Sequence, residues 1–311
     1  MHSIATSTPS GPSNAPASRT LSRCEPTSSV PDTGSENGHG APFNQDPSVG
    51  SASPLFRGPL LVLQPTTLDD LLTADPSATL VAGGTGVLVE MNAGRSPSAL
   101  VDVSRVAELA AVQDDGDVVR IGAAVTYTRV IEELGDRLPG LAMACRTIAS
   151  RQIRNRGTLG GALALRDPTS DALAALLAAD ARVEIASVAG VRTVGVGDVE
   201  LAPGEVLTAI VVPVAEGPVA YAKAGMRNAM ARAICGVAVA LRPAQRAVAI
   251  GVVGARAVRA GEAEELIGAQ WPRRDRALAQ QAGELAAAAA APIPAHLTTV
   301  LTRRALERAW S

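Results

Sequence analysis

Two short glycine-rich segments, far apart in the chain, constrain this sequence more than anything else. The first is Leu80-Val81-Ala82-Gly83-Gly84-Thr85-Gly86, an apolar run that ends in glycines. The second runs from Arg151 to Asp171, RQIRNRGTLGGALALRDPTSD, with Gly157, Gly160 and Gly161 among its first eleven residues. Glycine has no Cβ, so backbone N–H groups there can turn outward and approach a ligand closely. Successive outward N–H groups make an anion-binding concavity. The expectation is that both segments act as turns, each gripping part of one long, doubly charged cofactor.

The common phosphate signatures do not fit. A P-loop needs Lys-Ser/Thr after its last glycine, and none follows here. The dinucleotide fingerprint needs a small residue where Val89 stands. Each glycine turn alone reads as a tight loop. The argument rests on there being two, each beside an apolar, strand-like run.

Composition narrows the rest. Residues 1–54 are rich in Ser, Pro, Gly and Thr and poor in large apolar side chains. Such a segment cannot offset its ordering entropy by burial, so it is expected to be a disordered tail. It holds no signal-peptide core, and Glu25, Asp32, Glu36 and Asp46 argue against a transit peptide. The net charge of −2 gives no global case for nucleic acid or a membrane surface. No stretch is long and apolar enough for a membrane span.

The three cysteines (Cys24, Cys145, Cys235) are widely spaced, too few for a four-cysteine cluster. They suit a reducing, cytoplasmic setting without structural disulfides. Two of the three histidines (His2, His39) fall in the tail and His296 near the end, so a His-based triad or metal site has little to build on. No catalytic or metal-ligating set is expected.

Pattern reading places strands at 60–63, 80–82, 99–103, 118–122, 182–187, 191–194 and 205–212. A hairpin is expected from Leu109 through 114–117. Helices are expected at 68–72, capped by Thr66 or Thr67, and at 87–92, 126–134, 141–150 and 172–179, the last starting at Thr169-Ser170-Asp171. Pro213 to Pro218 breaks the pattern, and a domain boundary is placed there. Strands at 219–222, 234–241 and 247–253 follow, then helices at 262–267, 276–290 and 295–309. That order reads as a second, α+β layer.

Five segments together carry a resemblance: AGGTGVLVEM (82–91), LVDVSRVAEL (100–109), VRIGAAVT (119–126), RQIRNRGTLGGALA (151–164) and YAKAGMRNAMARAICGVAVAL (221–241). In collinear order over residues 58–309 they resemble the FAD-binding medium subunit of molybdenum hydroxylases, the xanthine dehydrogenase and aerobic carbon monoxide dehydrogenase type. The RNRGTLGG core is the most specific part.

The resemblance implies an α+β protein. A vanillyl-alcohol-oxidase-type (PCMH) FAD-binding domain would span 55–215, and a smaller domain of three strands and helices 216–311. It implies FAD as cofactor, with a molybdopterin-binding large subunit and a 2Fe–2S small subunit as partners. Electrons would pass from the partner's clusters through the flavin to an external acceptor.

It further implies that Ala82, Gly83, Gly84, Thr85 and Gly86 hold the diphosphate, with Val87 opening the helix behind it. Thr158, Gly160 and Gly161 would complete the cradle, and Ile153 and Leu159 would pack near the cofactor. Asp171 would bind an adenosine ribose hydroxyl. Tyr221 and Lys223 match a Y-x-K, with Lys223 near the flavin pyrimidine edge.

Gly86 and Ala162 stand where relatives commonly carry polar side chains. Taken alone, Asp171 is equally well explained as a helix-start residue. Lys223 is likewise explained as an exposed strand lysine, and Arg151, Arg154 and Arg156 as a solvated face or subunit contact. Two other functions fit the same residues less well: a self-contained flavin oxidoreductase, and a structural subunit that has lost FAD.

Overall fold

The computed structural model describes residues 60–311, and the tail expected over 1–54 lies outside them. The described residues belong to one compact unit.

The chain opens with β1 (Leu61–Leu63), α1 (Leu68–Leu72), β2 (Thr79–Val81), α2 (Val87–Asn92) and β3 (Ala99–Asp102). The three strands form a parallel sheet in the order β1-β3-β2. Parallel neighbours need crossover connections, which α1 and α2 supply. Thr67 caps α1, its hydroxyl accepting from the Asp70 amide at 3.2 Å. The first glycine segment is the link from β2 to α2.

The second sheet follows. Its elements are α3 (Ala107–Ala110), β4 (Val112–Asp114), β5 (Val118–Gly122), α4 (Tyr127–Glu133), α5 (Pro139–Arg146), α6 (Arg151–Arg154), α7 (Leu159–Ala164), α8 (Asp171–Ala178), β6 (Arg182–Ser187), β7 (Gly190–Gly195) and β8 (Val206–Pro213). The strands pair antiparallel in the order β4-β5-β8-β6-β7.

Three sequence expectations shift here. Leu109 lies in a short helical turn and not in the hairpin, which begins at Val112. The helix expected over 141–150 starts earlier, with Pro139 at its first position, and ends at Arg146. Ala149 then turns the backbone to φ +39° and Ser150 caps a new helix. The second glycine segment is not a turn: Thr158 caps α7, and Gly160 and Gly161 lie in its first turn.

The last part holds β9 (Val219–Gly225), β10 (Ala233–Arg242), β11 (Ala247–Gly254), β12 (Ala257–Arg259), α9 (Gly261–Ala269), α10 (Arg276–Ala289) and α11 (Ala295–Trp310). Its antiparallel sheet has four strands, β12-β11-β10-β9, where three were expected. The missed strand, Ala-Val-Arg, is too short to show a period.

This sheet is buried on both faces, and alternation sorts its residues. Cys235, Val237, Val239 and Leu241, with Val248, Ile250 and Val252, join the core under α9, α10 and α11. Ala238, Ala240, Ala249 and Val253 face the other way and join the core that contains α8. The side chains toward α8 are smaller, so that helix lies close. A Cβ placed on Gly251 would stand 2.2 Å from the Ala174 carbonyl oxygen.

Both ends of α8 are tied to this sheet. At its C-terminus, Arg242 donates to the Ala178 carbonyl (3.3 Å) and Arg259 to the Leu177 carbonyl (3.2 Å), and both arginines pair with Asp180.

Gly251→Ala is expected to push α8 off the sheet and destabilise the protein by about 1–3 kcal/mol. Urea denaturation of the full chain checks this.

Candidate functional site

The β2–α2 link and the start of α7 meet across a backbone contact. A Cβ on Gly83 would stand 1.7 Å from the Arg156 carbonyl oxygen and 3.1 Å from the Gly157 nitrogen. Only glycine allows that approach. Gly157 in turn lies against the Tyr127 ring, where its Cβ would be 2.8 Å from Cε2. The Tyr127 amide donates to the Gly157 carbonyl at 3.0 Å, and Thr126 and Thr158 form an isolated antiparallel bridge. These contacts fix the two glycine segments side by side.

Between them opens a cavity of about 870 Å³. That lies toward the upper end of the ~300–1,000 Å³ typical of ligand sites, as an extended dinucleotide requires. Ala82 to Val87 form one wall; Ile153, Thr158, Gly160 and Gly161 contribute to another. The loop from Leu201 to Leu207 and residues 230–232 close the remaining sides. Glu205 steadies that loop. Its carboxylate accepts from Arg192 and from the Ala202 amide, which together pull its pKa down to about 2.

The two glycine segments differ in what their amides do. None of the N–H groups of Gly83, Gly84, Thr85, Gly86 or Val87 donates to a protein acceptor among the described residues. Buried or cleft-facing N–H groups are normally paired, so this run is free to receive an anion. In α7 the amides are engaged. Leu159 N donates to the Val125 carbonyl (3.1 Å), Gly160 N to the Ala123 carbonyl (2.9 Å) and Gly161 N to the Thr158 hydroxyl (3.1 Å). The expected amide donation from Gly160 and Gly161 is therefore not what the geometry provides. Their contribution is closeness: a Cβ on Gly160 would meet Ala123 at 2.5 Å, and one on Gly161 would meet the Thr158 hydroxyl at 2.8 Å.

Leu159, expected beside the cofactor, is 1 % exposed and packs in the core instead. At N1 of α7 its side chain points inward, while the glycines after it face the cavity. Ile153 does reach the cavity and is 40 % exposed.

Asp171 stands in the cavity wall, 4 % exposed. The Tyr221 hydroxyl donates to its Oδ1 at 2.6 Å and the Lys223 ammonium to its Oδ2 at 2.5 Å. Lys223 also reaches the Thr147 carbonyl at 3.3 Å. Each carboxylate oxygen keeps a second lone pair for a cofactor hydroxyl. Tyr221 and Lys223 thus act on the site through Asp171 and do not line it themselves. Lys223, expected at a flavin edge, is engaged by Asp171 in this arrangement. Burial first, then the neighbouring Asp171 charge, raises the Tyr221 phenol pKa and keeps it a donor.

Sequence reasoning also missed parts of the wall. Leu165 covers Gly86, where a Cβ would meet its Cδ1 at 2.1 Å. Ala149 (φ +39°) and Met230 (φ +52°) line the cavity, and Arg166 (φ +51°) adjoins it. Left-handed backbone at residues other than glycine costs about 1–3 kcal/mol each and gathers at functional sites. No local residue pattern announces such a conformation in Ala or Met. Cys145 and Cys235 lie in separate cores, and burial raises both thiol pKa values, leaving them protonated and inert.

A cleft with an unengaged amide run, a facing helix start and a buried carboxylate defines a protein that holds an extended, diphosphate-bridged cofactor. The chain belongs to the family described as the FAD-binding domain in molybdopterin dehydrogenase, whose model matches residues 56–215.

It is 37 % identical over 154 residues to the nicotine 6-hydroxylase medium subunit of Paenarthrobacter nicotinovorans, covering 46 % of this chain and 54 % of that one. It is 37 % identical over 142 residues to a putative xanthine dehydrogenase FAD-binding subunit of Escherichia coli K12, covering 44 % and 48 %. The chain spans about half the length of these curated relatives. Among solved structures, carbon monoxide dehydrogenase from Hydrogenophaga pseudoflava superposes with a TM-score of 0.74 at 27 % identity, covering 82 % of this chain and 98 % of the other. The α+β fold with a flavin-binding part and a smaller sheet layer is the family's, and FAD is its cofactor.

Gly83→Ala is expected to wedge the two segments apart and weaken FAD binding about tenfold or more, read by fluorescence titration. Asp171→Asn leaves the Lys223 ammonium without its counter-charge and is expected to cost about 3–5 kcal/mol of stability. The pair Asp171→Asn with Lys223→Met should regain part of that loss in urea denaturation.

Proposed function

We propose that this chain is the flavin subunit of a molybdenum hydroxylase-type complex. It takes electrons from a 2Fe–2S small subunit served by a molybdopterin-binding large subunit, and passes them to an external acceptor. The observation that carries the reading is the cavity between the two glycine segments, with its run of unpaired amides at Gly83 to Val87. The relative's standing as a medium subunit of a hydroxylase supports a role inside a larger assembly.

FAD bound there supplies reversible electron exchange, which none of the side chains in the wall provides. The chain's own residues bind and orient it. Ala82 to Val87 would hold the diphosphate, through the unpaired amides of Gly83 to Val87. Thr158, Gly160 and Gly161 bring α7 against it, and Ile153 covers it from the side. Asp171, aimed by Tyr221 and Lys223, accepts from a ribose hydroxyl. We place the division between a flavin-binding domain and a C-terminal domain at about residue 215, where the chain leaves the second sheet at Pro213 and enters the third at Val219.

Purification of the tagged full chain from its native host is expected to bring down a molybdopterin-binding subunit and a 2Fe–2S subunit, with one FAD per chain. Turnover of an organic substrate by the chain alone, or failure to bind FAD, would overturn the reading.

A further inference from the structure

The chain contains only two tyrosines, Tyr127 and Tyr221. Tyr221 is accounted for by its bond to Asp171. Tyr127 is not. Its side chain is 93 % buried, at 7 % exposure, and it lines the cavity. Its hydroxyl makes no hydrogen bond to any described residue. Nor is that hydroxyl among the buried polar atoms sealed without a partner, which are Thr302 Oγ1 and Trp310 Nε1. A phenol buried this deeply, unpartnered yet not sealed in, opens onto the space it lines.

The position of Tyr127 is fixed by backbone. Thr126 caps α4 by accepting from the Arg129 amide, and the Tyr127 amide is held by Gly157. Its ring packs through Cδ2 and Cε2 against Gly157, one residue before the Thr158 cap and one after Arg156, whose carbonyl touches Gly83. The edge of the ring therefore sits beside the junction of the two glycine segments. Buried phenols normally find a hydrogen-bond partner, and an unpaired buried hydroxyl is costly to keep.

We propose that Tyr127 is a cofactor-binding residue whose hydroxyl donates a hydrogen bond to an oxygen of the bound dinucleotide. This rests on the flavin reading above and adds to it a contact that the glycine segments do not supply. Burial, with smaller contributions from Cys145, Asp171 and Asp167, raises the phenol pKa and keeps the proton on it. The group therefore acts as a donor throughout the physiological range.

The test compares the apo full chain with Tyr127→Phe, which keeps the ring against Gly157 and removes only the hydroxyl. Isothermal titration with FAD is expected to show affinity about two- to tenfold weaker in the variant. The melting temperature of the apo variant should match that of the parent, because the hydroxyl makes no bond within the protein. Equal FAD affinity in the two proteins overturns the assignment while leaving the flavin reading intact. A weaker affinity accompanied by an equivalent loss of apo stability shows a structural hydroxyl and also overturns it. Absence of FAD binding by the parent chain is the separate failure of the flavin reading and takes this assignment with it.

Discussion

The site depends on one backbone contact, the approach of Gly83 to the Arg156 carbonyl. A side chain at that position would collide with the Arg156 carbonyl and hold the β2–α2 link and the α6–α7 link apart. With hydrogen there, two loops separated by more than seventy residues close on each other, and their outward faces become the walls of one cleft. The rest of the arrangement serves that closure. Thr126 bridges Thr158, Tyr127 seats Gly157, and Gly160 lets α7 settle on Ala123.

The cradle and its opposite wall use different physics. The β2–α2 link leaves its amides without protein acceptors, so it offers charge complementarity to a diphosphate. The α7 start has its amides engaged, so it offers shape. An anion held by one wall and packed by the other needs no cationic side chain in the cradle. Arg151 and Arg156 are exposed and lie outside the cavity, whose lining includes Arg95 and Arg232. At the far end Asp171 is held from two sides, by a phenol and an ammonium, which fixes its remaining lone pairs in direction.

Much of this was legible in the sequence, for identifiable reasons. Strands such as 182–187 and 235–241 alternate or run apolar over enough residues to show their period. Thr67 and Ser170 stand where helix starts are expected. The Ala82–Gly86 run was readable as a glycine link from strand to helix because a strand feeds it and a helix leaves it. The RNRGTLGG segment misled at first sight, because glycine pairs usually mark turns. Here they sit in a helix and permit close packing, a distinction that depends on Ala123 and Thr158 and cannot be seen locally. Tyr127, Leu165 and Ala149 gave no signal, since their role follows from which loops meet. The pairing of Asp171 with Tyr221 and Lys223 crosses fifty residues and two sheets. It was visible only as a Y-x-K and an acidic helix start, with nothing to join them.

Helix α8 is clasped at both ends and along its length by the C-terminal sheet, through Tyr221 and Lys223 at Asp171, Gly251 at Ala174, and Arg242 and Arg259 at the last carbonyls. The carboxylate in the cavity wall is therefore part of the same cooperative unit as strands and helices that never touch the cavity. A ligand held by Asp171 would therefore favour the packed form of residues 219–259 as well as that of its own walls.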